Sequence, residues 1–493
     1  MARAVILKRK IETQEGAFRA LKLFHEVSRC VPAYRDFLQK HSVRSERIKT
    51  IFDFKHVPII DKKNYIQQYA LEELFPHGKI PPMVYASSGS SGKPTFWFRG
   101  DAQEVAGGEI HELIFKRIFN IDKEKSTLVV VCFAMGVWVA GNYTVAACRE
   151  VARRGYRISV ISPGIDRDDI CYVLRDLASK FEQVILAGYP PFLMDVVNEA
   201  HKQGIRLGRR VFAITAGDAF EEVWRAAFLK YLGAEDKLHS LVSIYGSADA
   251  GVLGHETPAS IFVRQTSLTA SGLYRDLFGE PSHALPALFQ YSPRHIFFEA
   301  VNGELVFTAN TAAPLIRYNI HDLGAVISWE SMVRLLREHG VIQERAVSSF
   351  ETWKLPFLMQ RGRTDVAVTF YALNIYPEHL KAGIEDRRVS RFLSGNFAAY
   401  NKTTVNQRDQ KLYIHLQLAP GVRPTLSLER VVIRSVIENL VKHNIEFRKL
   451  YTALGERAVP RIRLLLYHDK SFCFANTPGL LALRGKKPKL ILS

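Results

Sequence analysis

The 493-residue sequence predicts an α/β protein with a large amino-terminal domain of βαβ layers and a smaller α+β carboxy-terminal domain. Three observations carry that reading. The length exceeds what one hydrophobic core usually serves, so two domains of unequal size are expected. Between Ser126 and Ala216 short β-rich runs alternate with longer amphipathic stretches, the pattern of successive βαβ units and a largely parallel sheet. After Leu355 the texture changes to strand, turn and helix, which sets the expected domains at 1–360 and 361–493.

In chain order, TLVVVCF (127–133) reads as a buried strand and AGNYTVAACREVARRG (140–155) as a helix closed by Gly155. YRISVIS (156–162) is the next strand and IDRDDICYVLRDLASKF (165–181) the next helix. QVILAG (183–188) is a third strand, PPFLMDVVNEAHKQG (190–204) a helix with proline at its start, and RRVFAITAG (209–217) a fourth strand. In the small domain AVTFYALNIYPEHLKAGIED (367–386) reads as strand, turn and helix. KLYIHLQLA (411–419) and RIRLLLY (461–467) are strands around the helix SLERVVIRSVIENLVKHN (427–444).

Composition bounds the function. Hydrophobic residues make up 47% and charged residues 24%, near globular averages, and no apolar run approaches the roughly 20 residues of a membrane span. The apolar stretch in MARAVILKRK is too short for a secretory signal, so a cytoplasmic location is expected. The cysteines, Cys30, Cys132, Cys148, Cys171 and Cys473, form no CxxC pair; Cys132 and Cys148 lie in apolar segments and read as small buried hydrophobes, without chemistry. The net charge of +18 is spread in short groups such as Lys8-Arg9-Lys10, which argues against nucleic acid and for anionic small molecules or an acidic protein partner.

The most informative segment is Tyr85-Ala86-Ser87-Ser88-Gly89-Ser90-Ser91-Gly92-Lys93-Pro94-Thr95. Glycines let successive N–H groups converge on an anion, hydroxyls donate to phosphate oxygens, and Lys93 adds a positive charge. It is not a Walker A loop, because two residues separate Gly89 from Gly92 and proline follows the lysine. A flexible Gly/Ser linker is the alternative, but MVYA ahead and TFWF behind read as strands.

This loop, ASSGSSGKPT, resembles the ASSGTTGKPT loop of the adenylate-forming superfamily, in its phenylacetate-CoA ligase-like branch. The two Thr-to-Ser differences keep the hydroxyl donors. Further segments match in the family's order. ITAGDAF (214–220) is similar to the adenine-packing segment, which implies that Ala216, Gly217 and Asp218 line the nucleotide site. SIYGSADAG (243–251) resembles YG-x-[ST]-E, which implies that Tyr245 and Gly246 meet adenine and Asp249 holds Mg²⁺. Ala248 lacks the usual hydroxyl and Asp249 is one methylene shorter than glutamate. A turn-forming acid is the other reading of Asp249.

PLIRYNIHDLG (314–324) resembles the segment whose aspartate binds both ribose hydroxyls, a role for Asp322, with His321 where glycine is usual. An Arg317–Asp322 ion pair at a loop is its alternative. RGRTDVAVTFYALNIYPEHL (361–380) resembles the hinge motif, implying a mobile small domain, Arg363 on ribose or phosphate and Asp365 at the pivot. A solvated charged turn is the alternative reading. LALRGKKPKLILS (481–493) resembles the closing segment, implying Lys486 as the catalytic lysine, with Lys487 and Lys489 as neighbours and a solvated basic tail as the alternative.

The resemblance implies ATP-dependent activation of a carboxylic acid to acyl-AMP with release of pyrophosphate, then transfer to CoA. The alternatives are transfer to the phosphopantetheine of an acidic acyl carrier protein, transfer to an amine, or a non-catalytic nucleotide-binding protein on this scaffold. By the same resemblance Phe133-Ala134-Met135-Gly136-Val137-Trp138 lines the acyl pocket, where aromatic walls favour an aryl or arylacetic acid.

Overall fold

The computed structural model describes residues 2–87, 95–207, 210–217, 219–279, 285–342, 350, 353–363, 368–371, 373–375, 377–403, 409–419, 421–467, 481–484 and 487–490. The chain opens with helices α1 (Ala2–Cys30), α2 (Pro32–Lys40) and α3 (Ile51–Phe54). Pro32 stands in the first turn of α2, where its missing N–H leaves no bond unmade. Thr50 and Asp53 cap α3 reciprocally. A short π-helical turn, Lys62–Ile66, is capped the same way by Asp61 and Asn64. Strands β1 (Met83–Ser87) and β2 (Thr95–Arg99) form an antiparallel hairpin with Ser87 opposite Thr95.

After α4 (Asp101–Arg117) come the βαβ units: β3 (Thr127–Cys132), α5 (Val139–Arg153), β4 (Ile158–Ile161), α6 (Arg167–Asp176), β5 (Gln183–Gly188), α7 (Pro190–Lys202), β6 (Val211–Ala216), α8 (Glu222–Leu232) and β7 (Leu241–Ser247). These strands pair in parallel in the order β4-β3-β5-β6-β7. Along β3, Leu128, Val130 and Cys132 pack into one core and Val129 and Val131 into another, because alternate side chains leave a strand on opposite faces. Both faces are covered, which is why β3 and β5 are apolar almost throughout and buried at every position.

The expected largely parallel sheet holds for this half only. β8 (Gly251–His255), α9 (Pro258–Ser267), α10 (Ser271–Phe278), β9 (Ala287–Gln290), β10 (Ile296–Val301), β11 (Glu304–Ala309), β12 (Leu315–Ile327), α11 (Trp329–Glu338) and β13 (Phe357–Arg363) follow. Their strands extend the sheet antiparallel, giving eleven described strands in the order β10-β11-β12-β13-β9-β8-β7-β6-β5-β3-β4. At the β10–β11 reversal the turn chemistry is explicit. Asn302 (φ 53°) and Gly303 (φ 81°) are both left-handed, the conformation that folds β10 straight back onto β11. Helices α1 to α3 bury Phe24, Tyr34 and Phe54 against Phe298, Phe307 and Tyr318 of this half.

β13 is the last described strand of the large sheet. Beyond it, β14 (Val368–Phe370) and β15 (Leu373–Ile375) make a hairpin, followed by α12 (Pro377–Ile384), β16 (Leu393–Thr403), β17 (Gln410–Leu418), α13 (Leu426–His443), α14 (Ile445–Leu454), β18 (Arg461–Leu465), β19 (Leu481–Arg484) and β20 (Lys487–Leu490). The second sheet runs β18-β17-β16-β19-β20 around a core containing Phe397, Leu416, Val432 and Phe447. Among the described residues no helix is long and apolar enough to cross a membrane.

Candidate functional site

The carboxyl ends of β3, β5, β6 and β7 converge on a cavity of about 730 Å³, where open parallel sheets place their ligands. Its walls come from both halves of the chain: Phe133, Tyr189, Ala216 and Tyr245 from one side, Val368, Tyr371, Asn401 and Lys449 from the other. Of the residues expected at the site, Ser87, Ala216, Gly217, Tyr245, Gly246, Asp249 and Asp322 line this one space. Thr95 is the cross-strand partner of Ser87 and is not part of the lining.

At one end the Tyr245 hydroxyl donates to the Asp322 carboxylate, and the Tyr245 ring stacks on Phe289 with centroids 5.4 Å apart. Asp322 is buried on β12 and lies directly opposite Arg363 of β13, so two motifs distant in sequence meet in one strand pair. His321 takes the left-handed conformation its glycine counterpart would favour, with φ 64°. Its ring lies 3.5 Å from both Asp61 and Glu304, and its N–H donates to Asn319 Oδ1 at 2.7 Å. These contacts hold a conformation that costs a non-glycine residue on the order of 1 kcal/mol. Arg317 forks onto Glu299 at 2.9 and 3.1 Å and also donates to the carbonyls of Lys55 and Val57. Its ion pair is therefore with Glu299, in place of the alternative pair with Asp322.

Gly217, at φ 97°, lets the chain turn sharply off β6 into the cavity wall. Behind that wall, buried Arg264 donates to the carbonyls of Phe220 at 2.5 Å and Pro286 at 3.1 Å while pairing with Glu222 at 2.7 Å. Two loops that flank the cavity thus share one guanidinium. Arg225 joins Glu222 to Glu256, and Glu256 accepts from the Ser243 N–H of β7. Each buried charge in this network faces an opposite one, the condition under which such burial is tolerated.

The other end is built around Asp249, also buried. Tyr318 donates its hydroxyl to Asp249 Oδ2 at 2.5 Å, and Lys62 Nζ lies 3.5 Å from Oδ1. The Lys62 ammonium sits 5.3 Å from the centre of the Trp97 ring, and Trp97 Nε1 donates to Ser87 Oγ at 3.0 Å. Arg99 donates to the Ala248 carbonyl at 2.8 Å and lies over the Tyr143 ring, its pKa lowered by burial. Ile60 reaches this end by pairing with β12: its N–H donates to Arg317 O and its carbonyl accepts from Asn319 N. That docking carries Asp61 to His321 and Lys62 to Asp249.

Among the described residues no group of three or more His, Cys, Asp or Glu gathers as a metal site. Magnesium typically needs only one or two carboxylates with phosphate oxygens completing its shell, so Asp249 fits an ion shared with a polyphosphate.

The third region carries the expected acyl segment. Phe133, Ala134 and Trp138 line the cavity, whereas Met135 packs against the core. Lys449 of α14 places its ammonium 5.1 Å from the Trp138 ring centre. Nearby, Arg457 pairs with Asp195 of α7 at 2.6 Å and with Asp409 at 3.2 Å. Burial raises the Asp195 pKa against the pull of Arg457, and Arg457 is raised by its two carboxylates despite its own burial.

Ser88, Gly89, Ser90, Ser91, Gly92, Lys93, Asp218, Asp365 and Lys486 lie outside the described residues, and for Arg363 the backbone register alone is described. Sequence reasoning missed Lys62, Trp97, Phe289 and Lys449. Asp61-Lys62-Lys63 looks like a solvated charge run, Trp97 and Phe289 look like strand core, and Lys449 belongs to a helix without a motif.

No protein-family model matches the chain. A phenylacetate-coenzyme A ligase of Aromatoleum evansii is 22% identical over 321 residues, 63% of this chain and 66% of that protein, so the match spans a little under two thirds of the relative. Among solved structures, 2-hydroxyisobutyryl-CoA ligase with 2-HIB-AMP and CoA in its thioesterification state aligns over 92% of this chain and 86% of that one, at 15% identity and a TM-score of 0.62. An open conformation of the same ligase with 2-HIB-AMP and CoA covers 92% and 88%, at 15% identity and a TM-score of 0.52.

Proposed function

We infer that this chain, which has the fold of the adenylate-forming ligases, activates a carboxylic acid with ATP to an acyl-adenylate and passes the acyl group to the thiol of coenzyme A. The observation that carries the reading is the single cavity shared by Ser87, Asp249, Tyr245, Asp322 and the Phe133–Trp138 segment. Four separate stretches of sequence supply one nucleotide-sized space.

Attack of a carboxylate on the α-phosphorus brings two anions together, so the protein must neutralise charge and fix an in-line geometry. Asp322 accepts the two ribose hydroxyls, and its bond from Tyr245 sets the carboxylate's orientation. Tyr245, backed by Phe289, offers a ring face to adenine beside Ala216 and Gly217. The hairpin loop entered from Ser87 cradles the phosphates. Asp249, together with the phosphates, would hold Mg²⁺, which would supply charge stabilisation for pyrophosphate as a leaving group. Lys486 neutralises the reacting oxygens in the first step, Arg363 reaches ribose or phosphate oxygens, and Asp365 is the pivot for the swing of the small domain before the second. Phe133, Trp138, Tyr189 and Phe192 favour an aryl or arylacetic acid.

ATP/pyrophosphate exchange over a panel of aromatic and aliphatic acids tests the reading. Acid-dependent exchange without acceptor, followed by an acyl-CoA mass on adding CoA, is the expected outcome. Product on an acidic phosphopantetheinyl carrier but not on CoA would favour that acceptor, which the +18 net charge also suits. ATP binding without exchange for any acid would leave a nucleotide-binding protein instead.

A further inference from the structure

The phosphate end contains a cation that no motif assigns. Lys62 lines the cavity, its ammonium lies 3.5 Å from Asp249 Oδ1, and it rests over Trp97, whose indole holds Ser87 at the entrance to the serine-rich loop. Asp249 is the carboxylate expected to take Mg²⁺, and its second oxygen already accepts from Tyr318. The oxygen that faces Lys62 is thus the one an incoming ion would use. One carboxylate oxygen cannot serve an ammonium and a partly dehydrated divalent ion at full strength, because the two cations repel at such range.

We propose that Lys62 is a nucleotide-binding residue that occupies the metal's place on Asp249 and transfers to the phosphate oxygens when magnesium enters with ATP. The proposal rests on the ATP-dependent reading of this cavity. Three features make the transfer feasible. The Lys62 side chain is 31% exposed, so it is not locked in a core. Its backbone is fixed by the Asp61–Asn64 cap and by the pairing of Ile60 with β12, so its tether is short and directed. The Trp97 ring gives the ammonium an attractive surface beside the pair, 5.3 Å from the ring centre. Ser87, bonded to the same indole, stands where the serine-rich segment begins, so the ammonium starts beside the residues expected to meet the phosphates.

The swap predicts a particular linkage. Without metal, Lys62 screens Asp249 from the triphosphate. With metal, a lysine on Asp249 is a competitor that must leave. Isothermal titration calorimetry with ATP in EDTA and with MgATP reads this directly and needs no turnover. Lys62→Met should weaken metal-free ATP by about tenfold while leaving MgATP nearly unchanged, because the lost phosphate contact is offset by the removed competitor. The ratio of the two dissociation constants rises accordingly, and Lys62→Arg restores it in part. An unchanged melting temperature in Lys62→Met confirms the fold. Equal weakening of both ligands would overturn the swap and leave Lys62 as general positive charge, and no change in either would remove it from the site. A wild-type protein that binds neither form would instead defeat the ATP reading itself.

Discussion

Tyr245 and Asp322 show what a single hydroxyl contributes at this site. In Tyr245→Phe the Phe289 stack survives and the bond to Asp322 is lost, so MgATP should bind about 5- to 10-fold more weakly by calorimetry. Asp322→Ala should cost at least tenfold, because the carboxylate proposed to accept from ribose disappears entirely. Cysteine chemistry is the contrasting case. Burial pushes Cys148 up to about 12 and raises Cys132 further, so native protein treated with a maleimide at pH 7 should keep both thiols while unfolded protein loses them. Legibility at this scale followed chemistry that depends on residue type. A tyrosine before glycine or an aspartate after an Arg-Tyr segment is unusual enough to be noticed in a string of letters. Lys62 reaches Asp249 only when Ile60 pairs with β12, and nothing in Asp61-Lys62-Lys63 announces that pairing.

Strand register carries the site at the next scale. Gly324, two residues after Asp322, faces β13 so closely that a Cβ there would sit 2.1 Å from the Met359 carbonyl. Gly324→Ala should lower stability by about 1–3 kcal/mol and weaken ATP binding with it, since the Asp322–Arg363 pairing lies beside the clash. On β8, burial lowers His255 from 6.5 to about 4. The native state then refuses a proton that the unfolded chain takes up, so stability is full above pH 6.5 and falls as pH drops toward 4. The expected loss by pH 5 is roughly 2 kcal/mol, visible as a lower urea midpoint than at pH 7. The parallel half of the sheet could be read because buried β-branched runs alternate with amphipathic helices. The antiparallel half was missed although Asn302-Gly303 is a strong hairpin signal. Helices α1 to α3 were missed for a different reason: their apolar faces gain meaning only against Phe298, Phe307 and Tyr318.

Two lobes share the cavity, and the Arg457–Asp195 bridge, with Tyr189 packed into the carboxy-terminal core, holds them together. Arg457→Ala should raise amide hydrogen exchange in α7 and α14 about tenfold or more, because a charge-assisted contact of about 1.5–3 kcal/mol is lost and Asp195 is left partly buried. The sequence gives no hint of this bridge, since neither residue belongs to a motif and their separation spans most of the chain. The joint lining also has a thermal consequence. A guest lodged between two hosts cannot stay bound while either melts, so calorimetric scans that resolve two heat-absorption peaks for the empty protein should merge into one at saturating occupancy.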